Sequence, residues 1–395
     1  MADYDLAIVG GGLVGSSLAL ALSASGLRLL RLEARAETPP AARWDERCLA
    51  LNAASQQIFA GLGVWPALAA AAAPITATHI AEQGRFGVAR FRAAEAGLEA
   101  LGWNVPVRHL AAVLAEAAAG CGTLLQPARL AALTEEGNGW RLQIDGPQDE
   151  QTVSARLLVA ADGAQSAVRE LLGLAAQEED YGQQAIVSAI RPQRGLGGVA
   201  YERFLPGGPL AVLPKPEDAE GPAASLVWTL PEHEARAAMG WDDARFLAAA
   251  EAAFGERLGR WHRLGARQAW PLRRTLSERI VARRCVLIGN AAQSLHPVAA
   301  QGFNLGLRDV AELARRLQGG GDPGDPARLQ AYAAARAEDR RRTAGFTDGL
   351  VRLFSNRLPG LRGLRHLGLL ALDLSPPLKQ AVLAQNLGFG PGGRP

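Results

Sequence analysis

The chain has 395 residues, 48% of them hydrophobic and 21% charged, with a formal net charge of +3 at pH 7. That length exceeds what one hydrophobic core organises, so two domains are expected, and the apolar share excludes disorder as the main state. Three well-separated cysteines (Cys48, Cys121, Cys285) and six histidines without paired ligand spacing exclude a disulfide scaffold and a metal centre; no basic patch interleaved with aromatics points to nucleic acid.

The chain opens on MADYDLAIVG, which reads as a strand and not as a basic-then-apolar targeting segment. Residues 5–9 run at once into GGGLVG and then into SSLALALSASG with helical spacing, the helix starting near Val14. After Gly26, residues 27–32 read as a second strand ending on Glu33. Gly10, Gly12 and Gly15 stand in GxGxxG spacing inside this β-α-β unit. They serve a tight turn, backbone approach to a pyrophosphate, and helix-on-strand packing. The phosphate charge then meets the helix N-terminus. Glu33 lies 18 residues beyond Gly15, where a carboxylate accepts from ribose hydroxyls; an ordinary surface carboxylate is the competing reading. No apolar run reaches the length of about 18 residues that spans a bilayer, and the stretch Leu62 to Ala77 is broken by Pro66 and Pro74. A cytoplasmic protein is expected, at most peripheral at the inner face of a membrane.

Residues 156–169, RLLVAADGAQSAVR, read as a strand delivering Asp162 and Gly163 into a turn, with a helix from about Ser166. Asp162 either holds ligand hydroxyls or caps that helix. Residues 184–191, 199–205, 209–213 and 224–230 read as strands separated by Gly/Pro turns, an antiparallel sheet forming a second domain between roughly 182 and 270. Helical periodicity returns at 242–259. Residues 285–309, CVLIGNAAQSLHPVAAQGFNLGLRD, repeat the strand-turn-helix pattern: a strand to Ile288, the turn Gly289-Asn290, and a helix from near Gly302. Its N-terminus suits negative charge developing on a ring system. Residues 319–326 form a loop, and from Leu329 the chain is helical with a basic cluster, RAEDRRR, at 336–342.

The set GGGLVG with Glu33, then ADGAQSAVR, then GNAAQSLHPVAAQGFNLGLRD resembles the single-component FAD-dependent aromatic hydroxylases of the para-hydroxybenzoate hydroxylase superfamily. WDERCLAL (44–51), GNAAQSLHP and FTDGLVRLFSN (346–356) look like the ubiquinone-biosynthesis hydroxylases, in particular the branch acting on 2-octaprenyl-6-methoxyphenol. Three departures stand out. Asn290 replaces the usual Asp after Gly289, Gln293 the usual His after Ala292, and Ala300 the usual Gly before Gln301; the first two are themselves similar to that branch.

The resemblance implies an α/β fold: a Rossmann-like FAD-binding domain with an inserted antiparallel β-sheet substrate domain of α+β type and C-terminal helices. The expected segments are 1–72, 100–181 and 271–345 for FAD, 73–99 and 182–270 for substrate, and 346–395 for the helical region. It implies FAD held by Gly10, Gly12 and Gly15, with Glu33 on the adenosine ribose. Arg47 and Arg108 would face the cofactor, Asp162, Gly163 and Asn290 its ribityl and pyrophosphate region, and Gly302, Phe303 and Asn304 the flavin pyrimidine edge. It further implies NAD(P)H as a transient reductant near Asp162, O2 taken up as a flavin hydroperoxide, and a polyprenylated phenol, 2-polyprenyl-6-methoxyphenol, as substrate. Alternatives are a sister hydroxylase acting at another ring position and a flavin-binding scaffold within a biosynthetic complex. No general base is evident; His296 and Tyr201 are the polar candidates. The stretch Leu350–Leu374, with Arg352, Arg357, Arg362, Arg365 and His366, reads either as a helical lid or as a surface for anionic lipid.

Overall fold

The computed structural model describes residues 2–36, 47–85, 87–147, 149–355 and 368–389. Its first sheet runs in the order Val281–Ala282, Cys285–Leu287, Glu150–Ala160, Tyr4–Val9, Leu29–Leu32, Thr123–Leu125, parallel throughout apart from the Val281–Ala282 edge. A hairpin, Arg129–Glu136 and Gly139–Asp145, pairs onto Glu150–Ala160. Leu6, Ala7 and Ile8 are fully buried, as a continuous apolar strand must be when both faces are covered. Register decides where the chemistry collects. Val9 lies level with Ala160 and Leu32, and Ala160 with Leu287, so the turns at Gly10, Ala161 and Ile288 leave the sheet along one carboxyl edge.

The second sheet has nine strands. Along its main path it runs Gln293–Ser294, Gln268–Ser277, Ala176–Pro192, Ala224–Pro231, Gly208–Pro214, Val199–Leu205, Ala77–Glu82, Val88–Arg92. Trp261–Leu264 also pairs with Ala176–Pro192. It is antiparallel except where Val199–Leu205 lies parallel to Ala77–Glu82. Helices Glu232–Met239 and Asp243–Phe254 cover one face, closing a core around Ile186, Leu210, Val212, Trp228 and Phe246. A small third sheet joins Cys48–Asn52, Gly102–Pro106 and Ala73–Ile75.

Residues 176–183 correct the expected strand start at 184. They are too polar for an apolar alternation, yet Ala176 to Asp180 pair with Ser277 to Arg273, and the ladder slips between Asp180 and Gln184. Helix Gln301–Leu317 and the long helix Pro326–Ser355 follow; residues 368–374 and Pro376–Leu387 are helical and pack with Phe91, Phe204 and Ala53. Among the described residues no helix is long and apolar enough to cross a membrane.

Candidate active site

Gly10 sits at φ +108°, and a Cβ there would lie 2.3 Å from the Ala161 carbonyl oxygen, so the turn closes only on glycine. A Cβ on Gly15 would reach 1.9 Å from the Gly10 carbonyl oxygen: the helix Leu13–Ala21 rests directly on the turn. Gly12 differs. It caps the same helix without a side-chain bond, and a Cβ there meets nothing within 4 Å. Gly12, Leu13 and Val14 therefore border open space with the helix N-terminus bare, the arrangement that binds a phosphate. Glu33 packs against Gly11 at the end of Leu29–Leu32, and its Oε1 accepts from the Arg35 N–H at 2.8 Å.

Ser166 caps helix Ala167–Leu171 by accepting from Arg169 N–H, and Asp162 Oδ2 joins it by accepting from Val168 N–H at 3.2 Å. The capping reading is thus realised by one oxygen. Asp162 Oδ1 is buried without a partner, and burial pushes the carboxyl upward against its hydrogen bonds. A buried orphan acceptor beside an open glycine, Gly163, fits a hydroxyl-bearing cofactor. The third turn adds Gly289, the exposed Asn290 and Gly302, where again a Cβ would meet nothing within 4 Å. Phe303 stacks on Phe59 at 6.3 Å. Asn304 is saturated internally: Oδ1 accepts from Asn52 N–H and Ser55 Oγ–H, and Nδ2 donates to the Ala50 and Ala300 carbonyls. Its amide ties the helix to Cys48–Asn52.

Two of the sequence departures acquire a physical account. Gln293 is fully buried; its Nε2 donates to Asp309 Oδ2 at 2.6 Å and its Oε1 accepts from Arg340 Nε at 2.7 Å. Asp309 also accepts from Gly289 N–H and from Arg336 Nε, which in turn pairs with Asp339. An amide that donates one way and accepts the other suits this position. The same network absorbs much of the basic cluster at 336–342: Arg336 and Arg340 point inward, and Arg341 and Arg342 pair with Glu338. Ala300 sits at φ +51°, the left-handed region in which its methyl costs about 1 kcal/mol.

These turns open into one cavity of about 1020 Å³ lined from Gly12 and Gly302 to the C-terminal helices. One wall is the second sheet's uncovered face, with Ala185, Val187, Leu213 and Val227; Phe91, Leu369 and Leu383 close it further out. Trp270 lines it with Arg47 over its ring, 5.6 Å from the centroid. Trp44, Asp45 and Glu46 lie outside the described residues, as do 356–367 of the basic C-terminal stretch. Arg108 is exposed on helix Val107–Ala117 and is not among the lining residues.

His296 is not among the residues lining this space, whereas Tyr201 is, with its ring packed on the helix-covered side of its strand. His296 is buried behind the turn, its Nδ1 accepting from Val298 N–H and its ring meeting Tyr181 edge-on; burial holds it down at about 4. The Tyr201 ring packs against Phe254 at 5.6 Å and His79 at 5.5 Å, on the helix-covered side of its strand. The neighbouring Glu202 also lines the cavity, from the opposite face of the strand. Strand alternation in VAYERFL carries the signal that identifies it, a carboxylate between Ala200 and Phe204 on one face.

A family model described as an FAD binding domain matches residues 3–347. Ubiquinone hydroxylase UbiL of Rhodospirillum rubrum is 38% identical over 391 residues, 97% of this chain and 89% of that protein. The 3-demethoxyubiquinol 3-hydroxylase of Escherichia coli is 33% identical, covering 98% of each chain. The crystal structure of p-nitrophenol 4-monooxygenase PnpA from Pseudomonas putida superimposes with a TM-score of 0.79 over 99% of this chain and 98% of that one, at 17% identity, a likeness of fold.

Proposed function

The chain belongs to the FAD-binding family of ubiquinone-pathway hydroxylases, and from that premise we propose that it hydroxylates the ring of 2-polyprenyl-6-methoxyphenol with O2 and NAD(P)H. The observation that carries this reading is a cavity of about 1020 Å³ joining the bare helix N-terminus at Gly12 to a wall of aliphatic and aromatic side chains. Bound FAD supplies electron transfer and oxygen activation, the chemistry amino-acid side chains lack.

The protein's own groups then have assignable tasks. Backbone N–H groups at Gly12 to Val14, in the turn with Gly10 and Gly15, would hold the pyrophosphate, and Glu33 the adenosine ribose. Asp162 Oδ1, Gly163 and Asn290 would take ribityl hydroxyls, Gly302 and Phe303 would border the ring system, and Asn304 would keep their helix in place. Arg47 would approach from the Trp270 side. A ring bound against the apolar wall would displace water there, and Phe91, Phe204, Leu369 and Leu383 would bury the tail at about 0.8 kcal/mol per methylene. Leu378 both lines the cavity and is 54% exposed, and Leu374 beside it is 71% exposed, which supports tail entry at this end and peripheral contact with a membrane. Membership of a multiprotein complex would suit a substrate that stays in the bilayer.

A second reading, attack at another ring position, is favoured by the name of the E. coli relative, a 3-hydroxylase. The test is product analysis. FAD-loaded protein given NADH, O2 and a one-isoprene 2-prenyl-6-methoxyphenol should add one oxygen atom to the ring, located by NMR. Turnover only of a demethoxyquinol would establish the second reading, and flavin binding without any turnover the scaffold.

A further inference from the structure

The geometry points to Glu202 as the general base that takes the phenolic proton, an inference that rests on the phenol-hydroxylase reading above. Glu202 stands mid-strand in Val199–Leu205, opposite Ala211 on one side and Ile80 on the other. The row continues from Ala211 to Val227 and Val187, so a single carboxyl interrupts a line of aliphatic side chains across the cavity wall. Among the described residues no hydrogen bond or ion pair of its carboxylate is found, and burial alone raises it to about 7. A sheet position that an alanine or valine would fill at no desolvation cost holds an unpartnered acid, and such an exception in a cleft marks a functional group.

Among the described residues, the elements around it supply no counter-charge. His79, Tyr201, Arg203, Arg90 and Arg92 alternate onto the opposite side of their strands, and strand Gly208–Pro214 carries no titratable side chain. Glu82, level with Phe204, is the acid on the cavity side of the adjoining strand, and Lys379 and Asp373 of the C-terminal helices pair with Glu95, Arg90 and each other. A phenol ionises near 10, so a base near 7 is partly charged at neutral pH and close enough in strength to share the proton. The O–H proton passes to the Glu202 carboxylate, and its electron pair stays on the phenolic oxygen and is delocalised into the ring. The ring carbon to be oxygenated becomes more nucleophilic; once oxygenated it gives up its ring proton to solvent as the ring rearomatises, and Glu202 returns the first proton to the phenolic oxygen.

The experiment compares wild type, Glu202→Gln and Glu202→Ala on the one-isoprene phenol and on a ring-fluorinated analogue assayed above the pH at which its more acidic hydroxyl ionises. The wild-type rate should rise through about pH 7, and infrared difference spectra should show one carboxyl titrating there, missing in Glu202→Gln. Glu202→Gln should bind FAD normally, lose hydroxylation of the ordinary phenol by about 10²–10⁴-fold, and release the reducing equivalents as hydrogen peroxide. On the fluorinated phenol, which arrives ionised, the defect should shrink to within about tenfold. Added formate should rescue Glu202→Ala in part. Equal losses on both phenols, or an unchanged rate and pH limb in Glu202→Gln, would overturn the role of Glu202 and leave the substrate reading standing. A wild type that oxygenates neither phenol would overturn that reading and this role with it.

Discussion

Replacing Gly12 with valine separates cofactor binding from folding. Gly12 has φ −67° and ψ −167°, extended backbone open to any residue, and a Cβ there meets no atom within 4 Å. Losing glycine at the helix N-cap costs at most about 1 kcal/mol, so the apoprotein should fold. The added isopropyl group would occupy the space in front of the first-turn N–H groups. Two hydrogen bonds to a charged phosphate, at about 1.5–3 kcal/mol each, would be lost, raising the FAD dissociation constant about 10²- to 10⁴-fold. Gly15→Ala is the control: its Cβ would fall 1.9 Å from the Gly10 carbonyl oxygen, so the helix must leave the turn and the fold itself should suffer. Flavin absorbance per chain after gel filtration reads the first effect, and thermal melting of the FAD-free protein reads the second. Stoichiometric flavin in Gly12→Val, or an apoprotein as unstable as Gly15→Ala, would refute the phosphate-cradle argument.

Asp309→Ala should cost about 3 kcal/mol in urea unfolding, because it takes one of two carboxylates from buried Arg336, leaving only Asp339, and frees Gly289 N–H and Gln293 together; a loss under about 1 kcal/mol would show the network to be inessential. Burial lowers His296 to about 4, below its ordinary value near 6.5, so the unfolded chain gains the proton first as pH falls. Its contribution is complete above about pH 6.5 and lost progressively down to about pH 4, a change of about 3 kcal/mol. Urea midpoints between pH 7.5 and 4.5 should therefore fall less steeply in His296→Asn than in wild type, and parallel slopes would contradict the assignment.

The three strand-turn-helix units were legible because each is local: a few residues set the glycine spacing, and backbone sterics force its meaning whatever lies elsewhere. The helices at 13–21 and 301–317 and the strands from 199 to 231 followed from periodicity in the same way. Gln293 looked like a departure from a motif because its partners, Asp309 and Arg340, are 16 and 47 residues away. From the sequence the stretch at 336–342 is only a run of basic residues; packing shows Arg336 and Arg340 turned inward.

The catalytic candidates divide along that line. The rings of His296 and Tyr201 take part in packing that chain order does not reveal, His296 edge-on to Tyr181 and Tyr201 against Phe254 and His79. Glu202 is adjacent to Tyr201 yet belongs to the other face, a distinction set by which side of the sheet helices 232–239 and 243–254 cover. By itself the sequence determined the cofactor class and the three turns that would hold it, since tight backbone geometry is encoded within a few bonds. Tertiary structure alone decided which carboxyl lines the cavity without a partner among the described residues, because burial and pairing are properties of several strands and helices meeting, and no single segment possesses them.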